Sequence, residues 1–469
     1  MKLGIGNRGL GAENGPRRKG DAGHTPDFAG LIARLGAVRP QRILGRVTES
    51  IGLVMRAVMP GVRQGEIVTV GSVGDGVGDG DGRGRLQAEV VGFRGYEAIL
   101  LPLGRANGIG PGCDVLSTGQ PLAIRCGEGL LGRVLDGLGV PCDGGPPLGQ
   151  ELERWAVDRA APNPLARRRV SRPLVTGVKA IDAFLTIGEG QRIGLFAGSG
   201  VGKSTLLGQL ARSSSADVNV ICLVGERGRE VRDFVEDCLG ADGLGRSVVI
   251  CATSDEPSLV RLKSPFVATA VAEWFRDRRG ARVLLLMDSV TRFARAQREV
   301  GLAAGEPPAR QGYPPSVFAA LPCLLERSGT SHEGSITAVY TVLVAGGDMD
   351  EPIADEVRGI LDGHIVLERA IASRGRWPAI DVLASLSRLM PVVAAPEHQA
   401  DAARAREVMA TYDGQRDLIR IGAYQAGSDA RVDDAIARIE GIEAFLRQSA
   451  GERFPLEATL AELSRLAKG

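Results

Sequence analysis

Between residues 41 and 116 the chain carries short stretches in which apolar and polar positions alternate, separated by turns rich in glycine, proline or acidic residues. Alternation over four to eight residues is typical of a strand with one buried face. Several such strands in close succession predict a small antiparallel β-barrel. The stretches are RILGRVTES, LVMRAV, EIVTV, LQAEVVGF, EAILLPL and DVLSTG.

From about Thr176 to Pro396 the apolar runs become continuous, as in VNVICLVG, RSVVICAT, RVLLLMDS, SITAVYTVLV and HIVLERA. Continuous runs are typical of strands buried on both faces of a mainly parallel sheet. Helical patterns lie between them at Glu230–Leu239, Pro265–Arg278 and Thr291–Glu299. The alternation predicts a doubly wound α/β core of the P-loop type.

The last part of the chain has apolar residues at three- and four-residue spacing, which predicts a small α-helical domain. Its surface is a natural place for partners to bind. The predicted domains are a partly disordered tail (1–40), a barrel (41–116), an α/β domain (117–396) and a helical domain (397–469).

Composition narrows the function classes. The net charge is +1 and aromatic residues are 4% of the chain, so neither a nucleic-acid partner nor direct binding to an acidic membrane is expected. No run of 18 apolar residues and no secretory leader is visible, which predicts a cytoplasmic protein that reaches a membrane through partners. The seven cysteines form no CxxC pair and are expected to be reduced thiols.

Three segments allow two interpretations each. The basic cluster Arg17–Lys19 is a solvated tail or a contact with acidic lipid or a partner, and 27–35 has the pattern of a short amphipathic helix. The Gly/Asp run at 71–84 fits a flexible hairpin loop better than a calcium loop, because its spacing matches no calcium motif. Arg167–Arg169 is a solvated or subunit-facing loop or a phosphate contact.

The stretch GLFAGSGVGKSTLL, beginning at Gly194, joins an apolar strand pattern to a glycine-rich turn and a helix. Glycines let backbone N–H groups close around phosphate oxygens, and the helix N-terminus points its positive end at the same charge. Ala197 stands where the strict motif has glycine. Lys203 is expected to reach the β- and γ-phosphates and Ser204 to ligate Mg²⁺. The predicted nucleotide-binding residues are Gly198, Ser199, Gly200, Val201, Gly202, Lys203, Ser204 and Thr205.

Two strand ends carry residues suited to hydrolysis. Asp288 ends the strand LLLMD and is predicted to hold Mg²⁺. Glu226 and Arg227 follow the strand VNVICLVG, at the carboxyl edge where α/β sheets bind ligands. Glu226 is predicted to polarise the attacking water and Arg227 to meet the γ-phosphate. A further cation would stabilise the transferring charge, and composition alone does not choose between Arg292 and Arg388.

Taken together, these motifs resemble those of a known family, the ATPases of type III protein secretion systems. This family includes the flagellar export ATPase and is similar to the catalytic subunits of rotary ATP synthases. The resemblance runs from about Gln41 to Gln448. TSDEPSLVR, FVATAVAEWFRD, VTRFARAQREVGLA and GDMDEPIADE look more like the injectisome branch than the flagellar one. The motifs that carry the wider resemblance are AGSGVGKST, VGERGREVRDF, LLLMDSVTRFARAQREVGLAAGEPPARQGYPPSVFA, GSITAVYTVLV, EPIADEVRGILDGHIVL and WPAIDVLASLSR.

The resemblance implies an N-terminal β-barrel, a RecA-like nucleotide domain and a C-terminal helical domain, assembled as a homohexamer. It implies that Glu226 is the catalytic glutamate and Asp288 the Walker B acid. Arg292 becomes an active-site arginine and Arg388, in SLSR, an arginine finger that enters the next subunit's site. Trp377, where the family commonly has tyrosine, is implied to pack on the adenine, and Tyr424 to close the same pocket.

The expected function is Mg²⁺-dependent ATP hydrolysis that energises protein export, with chaperone release or substrate unfolding as the output. The implied partners are the central stalk and stator proteins and chaperone–effector complexes, at the cytoplasmic face of the inner membrane. Alternatives are the flagellar export ATPase, a rotary ATP synthase subunit, a RecA-like hexameric nucleic-acid motor and a degenerate structural subunit. The motor would need a basic, aromatic barrel face, and the barrel stretch offers only Phe93 and Tyr96.

Overall fold

A computed structural model describes residues 44–71 and 85–468 of the chain. The predicted tail at 1–40, the predicted amphipathic helix at 27–35 and nearly all of the Gly/Asp run lie outside the described residues. Within the described ranges, no helix has the length and apolar character that a membrane crossing requires.

The first six strands close into an antiparallel barrel in the order β1-β2-β5-β4-β3-β6, which confirms the predicted barrel. Its interior is filled by alternate residues such as Val68, Val70 and Leu100, which have no exposed surface. The predicted limit of this domain at residue 116 falls inside β6, because the strand continues until Pro121 pairs with Glu66. The strands are β1 (Leu44–Ile51), β2 (Val54–Val58), β3 (Glu66–Gly71), β4 (Leu86–Arg94), β5 (Glu97–Pro102) and β6 (Asp114–Pro121).

The central sheet has the order β19-β18-β12-β17-β15-β13-β14-β8, with β16 paired to β17. All neighbours along this order are parallel except β18 and β19, so the predicted doubly wound α/β core is confirmed. Two-stranded sheets join β7 to β9 and β10 to β11. The strands are β7 (Ala123–Cys126), β8 (Val134–Asp136), β9 (Glu153–Ala156), β10 (Pro173–Leu174), β11 (Ile187–Gly188), β12 (Arg192–Ala197), β13 (Val218–Glu226), β14 (Ser247–Thr253), β15 (Arg282–Asp288), β16 (Gly329–Thr330), β17 (Ser335–Leu343), β18 (Gly363–Leu367) and β19 (Ile380–Ser387).

The helices of the central domain pack on both faces of this sheet. One is longer than predicted: α5 begins at Ser258 and contains Pro265 in its interior, although proline usually ends a helix. A π-helical turn, Phe234–Leu239, separates α3 from α4. The helices are α1 (Lys179–Phe184), α2 (Lys203–Ser213), α3 (Gly228–Asp233), α4 (Gly240–Gly245), α5 (Ser258–Arg279), α6 (Val290–Ala304), α7 (Pro315–Leu325), α8 (Pro352–Ile360), α9 (Arg369–Ala372) and α10 (Met390–Val393).

Three helices form the C-terminal region, which confirms the predicted helical domain. They pack on α1 of the central domain, where His398 Nε2 lies 2.8 Å from the carbonyl oxygen of Ala183. The rings of Phe184 and Phe445 meet edge to face at 6.2 Å. This packing carries the chain after Leu446 back to the central domain. The helices are α11 (Pro396–Arg420), α12 (Ala430–Leu446) and α13 (Leu456–Lys468).

Candidate nucleotide and catalytic site

The phosphate-binding loop leaves β12 at Ala197 and enters α2 at Lys203. Gly200 and Gly202 have φ values of 77° and 82°, a left-handed conformation that glycine adopts without strain. Ser204 and Thr205, in the first turn of α2, are exposed. Arg369 Nη2 donates to the carbonyl oxygen of Ser199 at 3.1 Å, which fixes the loop from α9. The sequence predicted the loop but not this support.

Four predicted residues meet at the carboxyl edge of the sheet, beside the loop. Lys203 Nζ donates to Asp288 Oδ1 and lies 3.8 Å from Glu226 Oε1. Arg292 Nη2 lies 3.0 Å from Glu226 Oε2. The parallel strands β12, β13 and β15 end at the same edge, which is why residues far apart in sequence converge here.

Thr341 belongs to the same cluster, although sequence reasoning missed it. Its Oγ1 donates to Asp288 Oδ1 at 2.8 Å, and the side chain is fully buried. Thr341 lies on β17 in register with Leu195, between the strands that carry the loop and Asp288. The signal that could have found it is a threonine near the carboxyl end of a largely apolar central strand.

Glu226 is the most perturbed acid of the cluster. Burial raises its pKa to about 7, with further upward contributions from the neighbouring carboxyl groups of Glu230 and Asp288, while the charges of Lys203 and Arg292 oppose the rise. The residue is 7% exposed, and its Oε1 has no hydrogen-bond partner among the described residues. A buried carboxylate oxygen without a donor is available to a water molecule.

A cavity of about 570 Å³ lies against the loop and the start of α2. The indole of Trp377 forms one wall and touches the loop so closely that a Cβ atom at Gly202 would lie 2.6 Å from Cζ3 of the ring. The opposite wall comes from the connection between α12 and α13, which sequence reasoning did not assign to the site. Gln209 Nε2 donates to the carbonyl oxygens of Ser449 and Glu452 at 3.4 and 3.1 Å and holds this connection against α2.

Three predicted site residues lie elsewhere in this chain. The side chain of Arg227 is 80% exposed and pairs with Glu230 at 3.5 Å instead of joining the cluster. Arg388 is exposed just after β19. Among the described residues, those that line the cavity do not include Tyr424. Its hydroxyl bonds instead to the carbonyl oxygen of Asp429 and to Asp433 Oδ1, at 3.0 and 2.9 Å.

The structure gives two of the arginines at 167–169 hydrogen-bond partners within the chain, where the sequence left a solvated or subunit-facing loop and a phosphate contact as alternatives. Arg167 donates to the carbonyl oxygens of Ser328, at 2.6 Å, and of Glu326. Arg168 donates to the carbonyl oxygens that follow Thr330. Two of the three arginines therefore tie the segment before β10 to the loop around β16.

The donors present fit a nucleotide with a hard divalent cation. Ser204 supplies a hydroxyl oxygen and Asp288 a carboxylate oxygen, both of which suit Mg²⁺. Two protein oxygens are sufficient for a cation that keeps several waters and binds phosphate oxygens. In the parts of the chain that the structure describes, no group of three or more His, Cys, Asp or Glu residues forms a separate metal site.

Comparisons with known proteins agree with this geometry. Residues 177–387 match the nucleotide-binding domain of the ATP synthase alpha/beta family, and residues 394–465 match the T3SS EscN ATPase C-terminal domain. The chain is 51% identical over 435 residues to the type 3 secretion system ATPase of Xanthomonas euvesicatoria, covering 92% of this chain and 96% of that protein. It is 49% identical over 423 residues to the flagellum-specific ATP synthase of Bacillus subtilis, covering 90% and 94%.

The fold is also similar to solved structures of a type III secretion system ATPase. The assembled ATPase EscN from the type III secretion system of enteropathogenic E. coli superposes with a TM-score of 0.84 at 43% identity, covering 90% of this chain and 100% of that one. A chain of EscN in complex with its central stalk EscO gives a TM-score of 0.81. Site geometry, sequence and fold agree, and this chain therefore belongs to the family of type III secretion system ATPases and is an ATP hydrolase.

Proposed function

We propose that this chain hydrolyses ATP with Mg²⁺ to energise protein export through a type III secretion system of the injectisome kind. The observation that carries the proposal is the position of Glu226, between Lys203 and Arg292 at the edge of the sheet where the phosphate loop begins. The output is release of chaperones from exported proteins or unfolding of those proteins.

Each residue of the cluster has a distinct task. Glu226 Oε1 accepts a hydrogen bond from the attacking water and orients it in line with the phosphorus–oxygen bond that breaks. Lys203 and Arg292 stabilise negative charge as the phosphoryl group transfers. Ser204 and Asp288 would hold Mg²⁺, which neutralises charge on the β- and γ-phosphates. Trp377 stacks on the base, and the residues after Leu446 close the far side of the cavity.

Two arginines that lie outside the cluster, Arg388 and Arg227, complete the site in this proposal. Arg388 forms no ion pair with any residue of the described ranges, which suits a group that enters a neighbouring subunit's site. Arg227 is held by one solvent-exposed ion pair, which costs about 1 kcal/mol or less to break. We propose that it turns to the γ-phosphate. Tyr424 has no role in this proposal.

A homohexameric ring follows from an arginine that acts in trans. The assembled state named for EscN and its complex with a central stalk support a ring and a stalk partner for this chain. Stator proteins and chaperone–effector complexes are the other proposed partners, and contact with the inner membrane is proposed to run through them. The predicted division into barrel, α/β and helical domains remains part of this proposal, with the barrel ending at Pro121, the last residue of β6.

A flagellar export ATPase is the second candidate, because relatives named flagellum-specific ATP synthase reach 49% identity over nearly the same length. The chemistry of the two candidates is the same, and only the export apparatus differs. Complementation of secretion in strains lacking either the injectisome ATPase or the flagellar ATPase distinguishes them. Restored flagellar assembly without restored injectisome secretion would contradict the first candidate.

The test of the catalytic proposal is the ATPase rate as a function of protein concentration, with sizing of the assembly in parallel. The wild type is compared with Glu226→Gln, Arg388→Ala and, as a matched control, Arg420→Ala, an exposed arginine at the end of α11. We expect a rate that rises cooperatively with assembly, is lost in the first two variants and is unchanged in the control. A rate that is independent of concentration and survives Arg388→Ala would contradict the shared site.

A further inference from the structure

A second cavity lies at the end of α2 that is remote from the phosphate loop. It has a volume of about 630 Å³ and is lined by Arg212, Arg246, Arg453, Asp242 and the serines 213–215. We call it the arginine cavity. Lys203 is the first residue of α2 and Ser213 the last, so the two sites are about 15 Å apart along the helix axis.

The arginine cavity carries an excess of positive charge. Within the described residues, none of its three arginines forms an ion pair, and Asp242 is the one carboxylate in its lining. The guanidinium of Arg246 is half-buried, and burial together with the charge of Arg453 lowers its pKa. A cation whose charged form is disfavoured in this way gains from a nearby anion.

Packing explains two of the arginines. Arg246 donates to the carbonyl oxygens of Ala211, Ser214 and Ala216 and so caps the C-terminal end of α2. Arg212 donates to the carbonyl oxygen of Ala450 at 2.8 Å. Arg453 is exposed and makes no hydrogen bond with any described residue, so nothing in the fold requires its charge.

A buried hydroxyl in the lining supplies an independent indication. Ser214 is 3% exposed, and its Oγ has no hydrogen-bond partner among the described residues. An unsatisfied buried hydroxyl is costly unless a partner arrives. The negative end of the α2 dipole opposes an anion here, by about half a charge. Three full positive charges against one carboxylate outweigh it.

We propose that the arginine cavity binds a small soluble anion of the phosphate class. Guanidinium groups bind phosphate oxygens through charge-assisted pairs of hydrogen bonds, and Ser214 supplies a further donor. The site is concave, whereas a membrane surface would favour an exposed basic patch beside apolar side chains. The proposal does not depend on the nucleotide site, because the two share no phosphate-binding residue.

The probe is inorganic pyrophosphate, titrated calorimetrically at constant ionic strength into the full-length chain. The background is Lys203→Ala, which removes the lysine that would bind pyrophosphate in the phosphate loop. Arg453→Glu and Arg453→Gln are added to it, with Arg420→Glu as the matched change of charge on another exposed arginine. Thermal unfolding of each variant shows that it is folded.

We expect one pyrophosphate per chain in the Lys203→Ala background. Arg453→Gln should weaken binding about tenfold and Arg453→Glu up to about a hundredfold, because each removes a charge-assisted contact. Arg420→Glu should change it less than about twofold. Binding that disappears with Lys203→Ala, or that Arg453→Glu and Arg420→Glu weaken equally, overturns the proposal.

A sedimentation assay with phosphatidylglycerol vesicles distinguishes a lipid headgroup from a free phosphate. We expect the Arg453→Glu and Arg420→Glu variants to bind the vesicles equally. Loss of vesicle binding in Arg453→Glu, with no pyrophosphate bound by the parent protein, would assign the cavity to a lipid headgroup and overturn the proposal of a soluble ligand.

Discussion

The pH dependence of hydrolysis is set by Glu226 if this carboxyl group orients the water. The group must be ionised to accept the hydrogen bond, and its pKa is raised to about 7. The value of kcat/KM should therefore fall as the pH decreases through about 7, because kcat/KM reports groups of the free enzyme. We call the pH range over which kcat/KM falls the acidic limb. Substitution of two neighbours of Glu226 should move this limb in opposite directions.

Arg292→Gln removes a cation 3.0 Å from Glu226 Oε2 and should move the limb to higher pH. The two side chains are 27% and 10% exposed, so the pair is largely shielded from solvent. A pair of this kind contributes on the order of 1–2 kcal/mol, and one pKa unit corresponds to about 1.4 kcal/mol. The expected shift is about one pH unit upward.

Glu230→Gln removes the neighbouring carboxyl group that raises the pKa of Glu226, and it should move the limb to lower pH. The assay is kcat/KM for ATP from pH 5.5 to 9 with a continuous phosphate-release measurement. Arg292→Lys keeps the charge and Arg295→Gln changes an exposed arginine of the same helix, so neither should move the limb appreciably. The position of the limb does not depend on how much the absolute rate falls. Limbs that stay in place in both Arg292→Gln and Glu230→Gln would show that Glu226 is not the titrating group.

Three further predictions follow from single contacts. Trp377→Ala should raise KM for ATP about tenfold or more with a small effect on kcat, since base stacking contributes about 1–3 kcal/mol. Trp377→Tyr should restore the low KM, and steady-state kinetics that show a loss confined to kcat would contradict base stacking. Thr341→Val should lower kcat several-fold without changing the fold, because the 2.8 Å hydrogen bond that orients Asp288 is lost. Thr341→Ser keeps the hydroxyl group and is the control. Equal rates in the Val and Ser variants would show that the hydrogen bond does not affect kcat. Arg327→Met should lower the free energy of unfolding by about 3–5 kcal/mol in urea titrations, because Glu273 would stay buried without the arginine that donates to both of its oxygens. The control Arg278→Met breaks a solvent-exposed pair with Glu153 and should lower the free energy of unfolding much less. Similar losses in the two variants would refute the reasoning.

The sequence predicted the parts of the site that depend on local pattern. Glycine spacing identified the loop at Gly198–Thr205, and the positions of Glu226 and Asp288 at strand ends implied a common edge, where the structure shows them. Arg292 could not be chosen from composition. Its proximity to Glu226 arises because α6 begins directly after β15, with Ser289 capping the helix at the Arg292 amide.

The parts that were missed depend on long-range packing. Gln448 lies more than 200 residues after the loop, yet its side chain bonds to the backbone of Gly177 and Lys179 and so carries the end of α12 to the nucleotide cavity. The sequence pattern of 447–452 does not predict this contact with the nucleotide cavity, because the segment is a connection between helices and has no periodicity. The resemblance implied that Tyr424 closes the cavity, but its hydroxyl bonds to Asp429 and Asp433, and this packing within the loop before α12 was not visible in the sequence pattern.

Two buried glutamates show why residue type alone does not identify a functional acid. Both oxygens of Glu273 accept hydrogen bonds from Arg327, at 2.9 and 2.7 Å, so the carboxylate is saturated and its role is to join α5 to the end of α7. Glu226 is also buried and also next to an arginine, but its Oε1 has no donor and lies 3.8 Å from Lys203. An acid whose hydrogen bonds are complete gains nothing from a water molecule, whereas an incomplete one does. We propose that this unsatisfied oxygen, at the sheet edge beside Lys203 and the phosphate loop, is what allows Glu226 to act on the water.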